Sequence, residues 1–242
     1  MLMALSSFPD DRLPTLVAPA PVPRLTVHTV DDPRRGEVEA FIGRVYARRF
    51  GARVTGFAPT LVCLRDPLSQ QIVAAAGYRR AHQGTLFLQR YLDAPIGQLL
   101  AAHQNGAAVA PEGIFEVGHL AAERPGEGRR LIFLMAHHLA VEGASWVVST
   151  LTEELRHLFV RLGVTPLALG RADAQALGDA ASEWGSYYEH HPVVLAGQVQ
   201  QALRLLERRQ RSAGAAQAVG RRCGPSGCKA GARAGATPSP GQ

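Results

Sequence analysis

Between Ala122 and Leu131 the chain reads Glu-Arg-Pro-Gly-Glu-Gly-Arg-Arg, which sets Arg124, Arg129 and Arg130 around Gly126 and Gly128. Guanidinium groups bind phosphate and carboxylate oxygens in pairs, and glycine lets backbone approach an anion closely. A loop that opens into a helix adds unpaired N–H groups and the positive end of the helix dipole. The pattern fits a phosphate or pyrophosphate cradle. A tight turn with solvated arginines fits it as well. It is not a Walker loop, because no Lys-Ser or Lys-Thr follows the glycines, and it lacks the three-glycine spacing of a dinucleotide fingerprint.

Upstream of this loop, Glu116 interrupts an apolar run, Ile114 to Ala122, where burial would raise a carboxyl pKa towards neutrality. A structural pairing of Glu116 with Arg79 or Arg90 is the alternative. His119 lies three residues further on, so a regular strand sends the two side chains to opposite faces unless a bulge intervenes. His138 and Glu142 are spaced for one helix face, but a third ligand and the zincin pattern are lacking, so no metal is expected. Cys63 reads as a small core hydrophobe. Cys223 and Cys228 make neither a zinc site nor a disulfide framework, and a reducing compartment is expected. Gly-x-Ser-x-Gly, the nucleophile elbow of lipases, is absent.

The elements that position these residues follow from periodicity. Ile114 to Ala122 reads as a strand, and Leu131, Leu134, Met135, Leu139 and Val141 as a helix stopped by Gly143. Trp146 to Val148 is a second strand. Thr152-Glu153-Glu154 then opens a helix with Leu155, Leu158, Phe159 and Leu162 on one side and Gly163 at its end. Strand, helix and strand in this order predict a parallel βαβ unit. Ahead of it, Arg24 to Val30 alternates as a strand, and Val38, Phe41, Ile42 and Val45 form the apolar face of a helix ending near Gly51. Leu61 to Leu64 and Ile72 to Tyr78 read as a strand pair, Thr85 to Leu88 as a further strand, and Tyr91 to Pro95 as the entry of a helix through His103. The spacing from Val193 to Leu206 does not choose between strand and helix.

Composition sets the limits. In 242 residues, 46% hydrophobic content is ample for a packed core. The 26 basic and 20 acidic residues give +6, but from Glu207 onward seven basic residues stand against one acid, so residues 1–206 balance at 19 and 19. The folded part therefore has no electrostatic footprint for nucleic acid. Residues 1–23 are expected to be a flexible segment without the basic start and long apolar run of a signal peptide, and 24–207 a single domain. Residues 208–242, rich in Gly, Ala, Arg, Ser and Pro, are expected to be a disordered basic tail. No run reaches the roughly 18 uncharged apolar residues of a membrane span. A cytoplasmic address is expected.

Several blocks in order resemble the bacterial thermostable haemolysin family, whose members resemble acyltransferases of the GNAT superfamily. They include Tyr46-Ala47, Phe50-Gly51-Ala52, Phe57-Ala58-Pro59-Thr60-Leu61, Ala74 to Arg79 and Leu86 to Asp93, then Glu116 to Ala121, Trp146-Val147-Val148, Leu162-Gly163, Ala172-Asp173 and Trp184 to Tyr188. The likeness runs from about Val45 to Gly197. It implies an α/β fold (an α+β mixed sheet), GNAT-like, with an antiparallel N-terminal half and the βαβ unit at its centre. It also implies acyl transfer from an acyl thioester, acyl-CoA or acylated carrier protein, to a small amine-type acceptor, with no tightly bound cofactor. The donor's pantetheine arm would follow the strand, with Leu120, Ala121 and Ala122 next to the loop. Its pyrophosphate would sit on Arg124, Gly126, Gly128, Arg129 and Arg130. One residue separates Arg124 from Gly126 where the superfamily pattern has two.

Such a reaction needs a base for the attacking amine and a proton donor for the leaving thiolate. Glu116 is the first candidate base and His119 the second. Tyr187 and Tyr188 are candidate acids, with packing beside Trp184 as the alternative role. A membrane-active haemolysin and a non-catalytic acyl-carrier sensor are the competing functions.

Overall fold

The computed structural model describes residues 24–124 and 126–208. The proposed N-terminal segment, nearly all of the tail, Cys223 and Cys228 lie outside the described residues. The elements are β1 (Leu25–His28), α1 (Arg35–Phe50), β2 (Thr60–Arg65), β3 (Ile72–Arg80), α2 (Ile96–His103), β4 (Ile114–Ala122) and α3 (Glu127–Val141), then β5 (Trp146–Leu151), α4 (Glu153–Arg161), β6 (Leu167–Arg171) and β7 (Val193–Gln198). Residues 199–208 are helical, so the undecided stretch near the end is a strand followed by a helix.

The strands pair in the order β1-β2-β3-β4-β5-β7-β6. β1–β2 and β2–β3 are antiparallel, β4–β5 is parallel, and β5–β7 and β7–β6 are antiparallel. The expected βαβ unit is β4–α3–β5. Contacts divide the chain into two compact units, the first containing Val117–Met135 and Asp179–Ser186 besides the chain up to Arg79, the second containing the rest. β4 changes unit between Glu116 and Val117.

In the first unit, Val38, Phe41, Ile42 and Val45 are all buried, as their helical spacing requires. Leu61 to Leu64 and Ala74 to Ala76 are buried at consecutive positions, the mark of strands covered on both faces. Arg35 is buried with its charge satisfied: its guanidinium donates to Ala58 O at 2.8 Å, to Pro59 O at 2.9 Å and to Glu39 at 2.7 Å. The stretch around Gly185 docks on the end of α1, where Ser186 N–H donates to Phe50 O at 2.8 Å.

In the second unit Leu86, Leu88, Ile96, Leu100, Ile114, Trp146, Val148, Val194 and Ala196 pack together in a core. Here the structure corrects one expected strand. Thr85 to Leu88 does not form a strand; Leu86 is extended, but Phe87–Tyr91 is a 3₁₀ helix. The Glu116 carboxylate takes the Phe87 and Leu88 N–H groups that a strand ladder would have used, so three strands, not four, precede β4. Val141, counted in the apolar stripe of α3, is 87% exposed, while Leu131, Met135 and Leu139 are buried.

Candidate functional site

The loop after β4 belongs to the first unit. Gly126 has φ +93°, a conformation that only glycine adopts without strain. α3 follows at once: Glu127 N–H donates to Arg124 O at 3.3 Å and Arg130 N–H to Gly126 O at 3.0 Å. Gly128 and Arg129 lie in the first turn of α3, where backbone N–H groups point towards the helix N-terminus. Arg124 lies 3.8 Å from Asp66, and Arg130 lies 3.4 Å from Glu127. These pairs are largely exposed and weak, so either arginine can exchange its partner for a phosphate at little cost. Arg129 is exposed and makes no ion pair among the described residues. Ala121 is buried and Leu120 and Ala122 half-buried at the end of the strand. A Cβ at Gly128 would stand 3.6 Å from that of Ala122, ordinary contact. Gly126 is thus the glycine that the turn demands.

His119 departs from regular strand geometry, with φ +55° in mid-strand. This left-handed residue interrupts the strict alternation of β4, as residues at β-bulges do. Its Nε2 donates to Gly56 O at 3.0 Å, its ring stacks at 5.5 Å on Phe57, and its Nδ1 is buried without a hydrogen-bond partner. The ring fits over Gly77, where a Cβ would come within 3.2 Å of Nδ1. Burial holds the imidazole pKa down, to about 4, so the ring is neutral at pH 7. One ring nitrogen is thus committed to Gly56 and the other is buried, while the residue as a whole is half-buried.

Glu116 lies in the second unit and is 7% exposed. Its Oε2 accepts from Phe87 N–H at 2.7 Å and its Oε1 from Leu88 N–H at 2.9 Å. The carboxylate therefore organises the Phe87–Tyr91 turn through two backbone amides. Each oxygen retains a second lone pair.

That turn presents Tyr91, which the residue-by-residue reading did not single out. Tyr91 and Tyr188 share a hydrogen bond of 2.6 Å between their hydroxyls. Burial, then Tyr91 itself, raises the Tyr188 pKa, and burial raises that of Tyr91. Both phenols stay protonated at neutral pH, one donating to the other in the bond they share. Tyr187 is buried, packs edge-on against Tyr188 at 5.3 Å and donates to Thr150 O at 3.3 Å. The only advance signal for Tyr91 was its place in the Leu86 to Asp93 block. On α3, burial lowers the His138 pKa, and Glu142 is ion-paired with Arg80. Among the described residues no group of three or more potential ligands could hold a metal.

Solved structures match this fold. A CoA-dependent acyl-homoserine lactone synthase, BjaI, solved with SAM and isopentyl-CoA, is 12% identical over 78% of this chain and 89% of its own, with a TM-score of 0.50. The acyl-homoserine lactone synthase LasI covers 75% of this chain and 95% of its own at 14% identity and TM-score 0.49. An N-acyl amino acid synthase from uncultured soil microbes, FeeM, covers 74% and 93% at 14% identity and TM-score 0.49. The fold is that of the GNAT-like acyltransferases. The thermostable hemolysin family model matches residues 28–203, and the chain belongs to this family. A comparison with curated proteins returns no match.

Proposed function

We propose that this protein moves an acyl group from an acyl thioester to a small amine-type acceptor, working in the cytoplasm and without a tightly bound cofactor. The observation that carries this reading is the loop after β4: a left-handed Gly126 leads straight into α3, whose first turn holds Gly128, Arg129 and Arg130 just after Arg124. Family membership and the GNAT-like fold support it.

In the reaction the amine lone pair forms the new C–N bond at the thioester carbonyl, the C–S bond breaks, the nitrogen loses a proton and the sulfur leaves as thiolate or thiol. The loop holds the donor's phosphates, with Leu120, Ala121 and Ala122 along its pantetheine arm. Glu116 is the proton acceptor through the lone pairs its two amide bonds leave over. The Tyr188 phenol, kept neutral, donates to charge developing on oxygen or sulfur; Tyr187 packs against it. His119 serves as a strand-breaking wedge over Gly77.

Thermal unfolding with acetyl-CoA, a long-chain acyl-CoA and free coenzyme A tests the donor site. A ligand at 100 times its Kd adds about 2.7 kcal/mol, a visible rise in midpoint. The shift is expected in the wild type and lost in Arg129→Ala. No shift with any of the three overturns the coenzyme A reading and directs attention to carrier-protein donors.

A further inference from the structure

A thiol, an imidazole and a carboxylate meet at the β1 edge of the sheet, within the first unit. Cys63 on β2 is fully buried, and His28 Nε2 lies 3.5 Å from its Sγ. The other ring nitrogen, Nδ1, lies 3.1 Å from Asp32 Oδ2, and Asp32 is itself fixed by the Arg34 N–H, which donates to Oδ1 at 2.7 Å. In the neutral ring Nδ1–H donates to Asp32, and Nε2 keeps its lone pair towards the sulfur. A nucleophile beside a base that a third group orients is the arrangement of covalent catalysis. The acyl-transfer reaction makes no use of it.

Thr26 covers this cluster. It stands directly opposite Cys63 in the β1–β2 register, with its Oγ1 3.1 Å from Sγ and 3.2 Å from His28 Nε2. Under that cover burial raises the Cys63 pKa and the thiol is inert, although Arg65 and Arg34 pull the pKa down. β1 is a four-residue strand at the edge of the sheet, paired with β2 alone. Its His28 end is tied to Asp32, whereas at the other end Leu25 and Thr26 are half-buried and Val27 is 42% exposed. Short, exposed ends of this kind open locally at the least cost. Lifting Leu25 to Val27 uncovers the sulfur while Asp32 holds His28 in place, and the effect of burial then falls away while the two arginines remain.

We infer that Cys63 is a gated modification site: when the Leu25 to Val27 end of β1 lifts, His28 and Asp32 activate its thiol towards a small electrophile, a hydroperoxide. His28 Nε2 takes the thiol proton and a sulfur lone pair attacks one peroxide oxygen. The S–O bond forms as the O–O bond breaks, and the departing hydroxide recovers the proton from His28. Thiol and hydrogen peroxide thus become sulfenic acid and water, with sulfur oxidised and peroxide oxygen reduced. The new oxygen competes for the space that Thr26 Oγ1 fills beside Sγ, so the end of β1 cannot reseat until a thiol reductant removes it. This modification is independent of the acyl-transfer reading.

Hydrogen peroxide treatment of the full chain carrying Cys223→Ser and Cys228→Ser, with dimedone trapping read by intact mass, tests the inference, because Cys63 is then the only thiol. The adduct is expected to form in the folded protein at a rate that stays flat with urea below the unfolding transition, as local opening requires. Thr26→Ala should speed it severalfold, Asp32→Asn should slow it severalfold and His28→Gln should slow it at least tenfold. Oxidised protein, without dimedone, should unfold at a lower temperature and recover its midpoint with dithiothreitol. A thiol that reacts only through global unfolding behaves oppositely: its rate climbs with urea from the first addition, and a destabilising His28→Gln speeds it. Either of those results, no adduct in the folded protein, or an unchanged midpoint after oxidation overturns the inference.

Discussion

A buried carboxylate that accepts from two amides does not tolerate becoming an amide itself. In Glu116→Gln one of the Phe87 and Leu88 N–H groups faces an NH₂ group instead of an oxygen, and a buried donor goes unmet. The expected cost is about 1–3 kcal/mol, read from the urea midpoint. Loss of acyl transfer with an unchanged midpoint would assign Glu116 a purely chemical role. His119 makes the opposite kind of demand. Its folded pKa of about 4 lies below the ordinary 6.5, so below pH 6.5 the unfolded chain takes up a proton that the folded ring refuses. The stability that the neutral ring contributes is present above pH 6.5 and is lost as pH falls from there through 4. Unfolding free energies of the wild type and His119→Gln should therefore converge across that window, and parallel curves would contradict the buried neutral ring. Glu116 was legible as a buried carboxylate in an apolar strand. Its partners were not, because they are amides 28 and 29 residues away.

Periodicity reveals an element when one face alone is buried, and α1 shows this, with Val38, Phe41, Ile42 and Val45 marking its core side. It misleads where a distant group decides. Thr85 to Leu88 has strand-like composition, yet Glu116 draws the chain into a turn. Gly185 is a further case, standing in a block that carried the family likeness for no visible local reason. Its φ is +50°, and a Cβ there would collide with the Phe50 carbonyl oxygen and crowd Gly51. Both neighbours are backbone, so nothing can swing aside. Gly185→Ala should cost about 2–4 kcal/mol and free the Trp184 segment from the end of α1, as hydrogen exchange at Ser186 N–H would report.

At the scale of the molecule, the family's haemolytic name and the acyltransferase fold predict different behaviour at a bilayer. Among the described residues no helix is long and apolar enough to cross a membrane. If the acyl-transfer reading holds, dye-loaded phosphatidylcholine vesicles should stay intact with the protein alone and leak only when donor and acceptor are supplied together, through an amphiphilic product. Leakage caused by the protein without substrates would favour direct lysis. The sequence by itself determined the element order around β4–α3–β5, the cluster of arginines and glycines at residues 124–130 and the family. Those depend on composition, on repeats of two or 3.6 residues and on contiguous blocks, all local quantities. Tertiary structure alone decided which hydroxyl meets Tyr188, 97 residues from its partner, what Glu116 holds and which way His119 turns. Such contacts join segments far apart in the chain, and their geometry exists only once both segments are packed.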